Sequence, residues 1–208
     1  LCAPANGNAQ QSSNRREISE GLTNPYLFKI LVRVGTFDHG LFSNVKPKTY
    51  SFGPAVGVID GVPPHAVTEV GQETTYGVRW TVPGPENWRS MDNMDVRIID
   101  DVDEVLRFRW DESENSFSLF NPRNGVFFPA SELGRSTRFE TSAVTMLLGN
   151  TEVLTGGPSG FFVQLMLGLQ FKPPAAGRTF RVEAIGRNDA GGVQGWDEIG
   201  TIEVLPKR

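Results

Sequence analysis

From Pro25 onward, apolar residues fall at every second position, the spacing of a strand that buries one face. Tyr26, Phe28, Ile30, Val32 and Val34 line one side of the first such segment, opposite Leu27, Lys29, Leu31 and Arg33. The alternation recurs in Tyr76-Val78-Trp80-Val82, in Leu106-Phe108-Trp110, in the long row from Phe161 to Phe171, and in Phe180-Val182-Ala184. Ile202 with Val204 closes the chain. Val96 with Ile98, Phe117 with Leu119, and Val144 with Met146 and Leu148 are shorter candidates, so eight or nine strands are predicted. Turn formers separate them: Pro83-Gly84-Pro85, Asn121-Pro122, Asn124-Gly125, Gly156-Gly157-Pro158, Pro173-Pro174 and Gly191-Gly192. No stretch sustains helical spacing; Ser131 to Arg135 fits a single helical turn and nothing longer. Short strands punctuated by turns predict an antiparallel all-β sandwich or barrel, not βαβ units.

The pattern divides the chain into three parts. Residues 1–23 form a polar arm in which, between Ala3 and Glu20, Ile18 is the only sizeable apolar residue. Such a stretch cannot offset its ordering entropy by burial. Residues 24–62 hold the leading strand Tyr26–Val34 and short pieces such as Val56 to Ile59. Pro63-Pro64 reads as a hinge before the body, 63–208. One long strand cannot close a core alone, so the leading section is expected to pair with the body or with a neighbouring subunit. Leu1 to Ala9 resembles the tail of a secretory signal. Cys2 reads either as a thiol in a loose arm or as a lipidated terminus after export.

Composition narrows the function. The chain has 208 residues with 20 basic and 24 acidic side chains, a net charge of −4. Phosphate neutralisation needs a basic face, so nucleic acid is not an expected partner. No apolar run is long enough to span a bilayer as a helix. One Cys excludes an internal disulfide, and two His exclude a His-rich metal site.

The candidate chemistry is thin. His39 and His65 fall in predicted loops, and no G-x-S-x-G elbow accompanies them. Asp92, Asp95, Asp100, Asp101, Asp103 and Glu104 are clustered, and calcium favours clustered carboxylates. An EF-hand loop counted from Asp95 would need Gly at its sixth position and meets Asp100 instead. The competing reading makes Asp100 to Asp103 the polar tip of a hairpin. Asp189 suits a turn in which its carboxylate accepts neighbouring amides. Of the four Trp, Trp80 and Trp110 fall on core rows, while Trp88 and Trp196 sit among polar residues as candidate faces for a sugar.

From about His65 to Leu205, the order of features resembles the immunoglobulin-like β-sandwiches of large secreted and cell-surface bacterial proteins. The resemblance rests on the Thr-rich strand ending at Trp80-Thr81-Val82-Pro83 and on the hairpin arm Arg107-Phe108-Arg109-Trp110-Asp111. Its closing run is Gln170-Phe171-Lys172-Pro173, Gly177-Arg178-Thr179-Phe180, Asn188-Asp189-Ala190-Gly191-Gly192 and Gly200-Thr201-Ile202-Glu203-Val204. It departs in lacking a Cys pair in the facing strands. The resemblance implies an extracellular or cell-surface, non-catalytic domain that assembles end to end or side to side, without a cofactor. The expectation is an immunoglobulin-like β-sandwich with an extended arm and a leading strand. It would serve as a structural or adhesive building block of a filament or surface layer. Copies of itself or other surface proteins are its expected partners, with Tyr26, Phe28, Ile30, Val32 and Val34 at the interface. The alternative is a carbohydrate-binding module, calcium-stabilised, that presents Trp88 and Trp196 to a polysaccharide.

Overall fold

Period-two alternation places side chains on opposite faces of a strand, so each row named above must find a second layer against which to bury. The computed structural model describes residues 56–82, 85–134 and 137–208. Within them the rows bury against each other across two sheets. Sheet A runs β1 (Val58–Val62), β3 (Glu73–Thr81), β12 (Phe162–Phe171), β10 (Val144–Leu147) and β9 (Arg138–Glu140), with β11 (Glu152–Thr155) also paired to β12. Sheet B runs β2 (His65–Glu69), β14 (Asp197–Leu205), β13 (Arg178–Asn188), β4 (Met91–Ile99), β5 (Glu104–Asp111), β6 (Ser116–Asn121) and β7 (Val126–Phe127), with β8 (Ser131–Glu132) on β6. Every pairing is antiparallel except β2 with β14, which is parallel. The helical content among the described residues is three single 3-10 turns, Trp88–Ser90, Leu148–Asn150 and Pro173–Ala175.

Tyr76, Val78 and Trp80 of β3 and Val163, Leu165, Leu167 and Leu169 of β12 are fully buried. They face Met94, Val96 and Ile98 of β4, Leu106, Phe108 and Trp110 of β5, and Phe180 and Val182 of β13. Phe171 and Phe180 stack across the two layers with centroids 5.6 Å apart. Each large apolar side chain so buried contributes about 1.5–3 kcal/mol, and with no Cys in either sheet this packing holds the layers together.

Pro63-Pro64 marks the place where the chain leaves one sheet for the other. β1 pairs with β3 of sheet A, the Val62–Pro63 peptide is cis, and β2 then runs beside β14 in sheet B. The Tyr76 ring lies against this crossing. A Cβ at Gly61 would stand 2.2 Å from its hydroxyl and one at Gly200 2.3 Å, so both positions need glycine. The hydroxyl has no partner among the described residues, and burial pushes it up to about 12.

The helical turn expected over Ser131 to Arg135 is not formed by its described residues, 131–134. Ser131 and Glu132 pair as β8 with Phe117 and Ser116, because a strand edge was open to them. The arm 1–23, the strand Tyr26–Val34, Cys2 and His39 lie outside the described residues.

Candidate functional site

The residues singled out from sequence disperse. Trp80 and Trp110 are core, at 0% and 1% exposure. Trp88 is not a surface platform. Its 3-10 turn, capped by the Asn87 side chain on Arg89 N, turns the indole inward, and Nε1 donates to Gly157 O at 2.8 Å. Trp196 is half-buried over sheet B. His65 stands on β2 with Nδ1 2.8 Å from Thr201 Oγ1. In the turn after β13 the acceptor is Asn188, whose Oδ1 takes Gly192 N at 2.7 Å, while Asp189 donates its own N–H to Ser90 O.

Backbone and guanidinium groups take up the acidic cluster. Asp100 to Asp103 is the tip of the β4–β5 hairpin, where Asp100 Oδ1 accepts the amides of Val102 and Asp103, each at 2.9 Å. Arg178 donates from Nε to Asp100 Oδ2 at 2.6 Å, and Arg181 donates to Asp101 Oδ1 at 2.8 Å. Those two amides, followed by Arg178, hold the Asp100 carboxyl down at about 2. Among the described residues no group of three or more His, Cys, Asp or Glu is placed to hold a metal ion.

Asp95 has a different environment. It is fully buried on the outer side of sheet B. Arg109 grips it with Nε at 2.6 Å and Nη2 at 3.0 Å, Arg187 Nη1 lies at 3.3 Å and Arg107 Nη2 at 3.6 Å. Asp95 in turn raises the Arg109 guanidinium above its ordinary value, chiefly by this hydrogen bond. Arg97 makes the neighbouring pair, with Nε and Nη2 on Glu183 Oε2 at 2.8 and 2.6 Å. Aromatic rings cover these cations: Trp196 lies 4.4 Å from Arg97, Phe120 4.2 Å from Arg107 and Phe127 4.4 Å from Arg109. Gln194 N, donating to Gly186 O at 3.0 Å, draws the Trp196 loop onto the sheet. The result is a ladder of guanidiniums and rings in which each of the four cations lies within 4 Å of a carboxylate.

A second feature opens at the edge of the ladder. β6 pairs with β5 only from Phe108 onward, so the stretch Glu104–Arg107 borders a gap between the sheets. Across the gap stands the β9–β10 turn, and together they enclose a cavity of about 560 Å³. Phe128, held by Phe128 N donating to Leu119 O at 2.8 Å, lies 48% exposed at its wall. Arg123 lines the cavity with a guanidinium that has no partner among the described residues, while Arg107, also in the lining, keeps its Nη2 on Asp95 at 3.6 Å. Glu104, on the same strand as Arg107, also lines the cavity; burial raises its carboxyl, against the pull of Arg107 and Arg97. This cleft draws on four segments distant in sequence, and none of its residues forms a motif along the chain. The unpaired half of β5 is the only local signal, and it appears once β6 is seen to diverge.

No family model matches the chain, and no curated protein matches it. Among solved structures it is similar to a chain of a structure titled "Structural basis of T cell specificity and activation by the bacterial superantigen toxic shock syndrome toxin-1". That likeness has 10% identity and a TM-score of 0.36 over 72% of this chain and 99% of the other. It is also similar to a DUF4466 family protein from Parabacteroides merdae, at 11% identity and a TM-score of 0.29 over 71% of this chain and 46% of the other. The chain thus spans about half the length of that second protein, and its all-β, two-sheet architecture rests on the strand pairing itself.

Proposed function

We propose that this sandwich is immunoglobulin-like and that the chain is an exported, non-catalytic building block that joins its neighbours through its leading strand. Strand order supports the first half. The opening strand is divided between sheets, β1 antiparallel to β3 and β2 parallel to the last strand β14. Sheet A then continues β3-β12-β10 and sheet B β14-β13-β4-β5. That order corresponds to the A-B-E-D and G-F-C-C′ arrangement of immunoglobulin-type sandwiches.

The observation that carries the second half is an open side. Among the described residues β1 has only β3 beside it and β2 only β14, so both sheets end together on the flank of the strand divided at Pro63-Pro64. Val58 and Val67 on these edge strands are 57% and 52% exposed. Unpaired edges accept an added strand through main-chain hydrogen bonds. The sequence supplies one in Tyr26–Val34, whose exposed CH₂ groups would each cost about 0.8 kcal/mol in water. A copy that gives and receives one strand makes a heterologous contact, which need not close.

Deleting residues 1–34 and weighing both chains by light scattering tests this reading. The full chain is expected to form concentration-dependent oligomers and the truncated one to remain monomeric, binding an added peptide of residues 24–36. A monomeric full chain, or unchanged assembly after truncation, overturns it.

A further inference from the structure

We propose that the cleft between the β5–β6 corner and the β9–β10 turn binds an acidic sugar, one hexuronate unit of a polysaccharide. The inference stands apart from strand exchange, because the cleft lies in sheet segments remote from β1 and β2. Its volume of about 560 Å³ falls within the ~300–1,000 Å³ common to small-ligand sites.

The lining decides the ligand class. Arg123 is a cation without an internal counter-charge, whereas Arg107 is already turned to Asp95 at 3.6 Å. The other guanidiniums that line the cleft, Arg107 and Arg178, are paired with Asp95 and with Asp100 and Asp103, so Arg123 is the one left for a carboxylate from outside. A guanidinium receives a carboxylate through two parallel hydrogen bonds. The remaining groups suit hydroxyls. Glu104 and Glu140 are acceptors, and the exposed Ser142 hydroxyl has no partner among the described residues. Phe128 adds an apolar ring of the kind that packs against the C–H face of a pyranose. A hexuronate carries one carboxylate, several hydroxyls and an apolar ring face, and so matches all three. An acidic peptide matches less well, because it offers no row of hydroxyls to Glu104 and Glu140 and no pyranose face to Phe128. The ligand face expected of Trp88 and Trp196 passes to Phe128, since packing and Arg97 occupy those indoles.

The test titrates the full chain with tri-galacturonate, neutral galactotriose and oligo-glutamate by calorimetry, using wild type, Arg123→Gln and Phe128→Ala. Wild type is expected to bind tri-galacturonate in preference to both alternatives. Arg123→Gln is expected to lose about tenfold or more in that affinity, along with the preference over the neutral sugar. It should keep the wild-type melting temperature, since the side chain has no partner to lose. Phe128→Ala is expected to weaken both sugars. No binding at millimolar tri-galacturonate, equal affinity for galactotriose, tighter binding of oligo-glutamate, or an Arg123→Gln chain that binds like wild type would each overturn the proposal.

Discussion

On its outer side sheet B stacks Arg97, Arg107, Arg109 and Arg187 against Asp95 and Glu183 under a cover of rings. The outer side of sheet A carries Val58 on β1, Leu154 on β11 and Phe162 and Met166 on β12, with Arg79–Asp60 as the one ion pair across β1 and β3. Both faces belong to strands whose inner side chains are equally apolar and equally buried. The difference therefore lies in what the outward positions meet. On sheet B opposite charges face one another across β4, β5 and β13, so each of these guanidiniums has a carboxylate within 4 Å. On sheet A, Val58 is 57% and Leu154 44% exposed, so apolar area remains for another surface to cover. The charge-rich face is paired within itself, and the charge-poor face leaves apolar area exposed.

The strongest way to break this contrast is to remove Asp95. Asp95→Ala leaves three guanidiniums facing one another around a vacated buried site, and such a lost partner typically costs about 3–5 kcal/mol. Urea unfolding should show that loss. Asp95→Asn keeps the shape and an acceptor, and is expected to recover part of it. A change under about 1 kcal/mol for Asp95→Ala would mean that the ladder is a surface ornament, and the two faces would then differ only in composition.

The inward half of the fold was legible because it is a local property. Tyr76-Val78-Trp80, Leu106-Phe108-Trp110 and the Phe161–Phe171 row state their faces in consecutive residues, and they became β3, β5 and β12. The outward half depends on partners that no local window holds. Asp95 looked like one of a loose acidic cluster until β13 brought Arg187 beside it. Trp88 sits among polar neighbours and reads as exposed, but the carbonyl that receives its N–H is that of Gly157. Pro63-Pro64 was readable as a break; that it divides one strand between two sheets follows only from pairing with β3 and β14. The cleft was illegible because the divergence of β6 from β5 creates it, a property of register rather than of composition.

Acid sharpens the comparison in another way. Asp100 is held down at about 2 by the Asp103 and Val102 amides and by Arg178, against its ordinary 3.8. A carboxyl whose folded value is depressed contributes stability above its unfolded value and loses it as pH falls through the folded one. The contribution of Asp100 should thus be complete above about pH 4 and vanish as pH approaches 2. Melting curves of wild type and Asp100→Asn are expected to lie apart at pH 6 and to converge by pH 2. Parallel curves across that window would show that the hairpin tip does not depend on the charge.

The smallest effect is expected on sheet A. Arg79 Nη2 and Asp60 Oδ2 stand 3.7 Å apart with side chains 42% and 48% exposed. A pair this open to solvent couples by about 0–1 kcal/mol. Arg79 also keeps a buried Nε without an acceptor, which sets a cost against that gain. A double-mutant cycle of Arg79→Met and Asp60→Asn should return a coupling under about 1 kcal/mol, with Arg79→Met near neutral because the orphaned donor leaves with the charge. If the coupling instead approached the Asp95 value, the pair would be desolvated in solution, which requires something to cover this face. Measured at high and at low chain concentration, the same cycle then reports whether sheet A is covered by another copy.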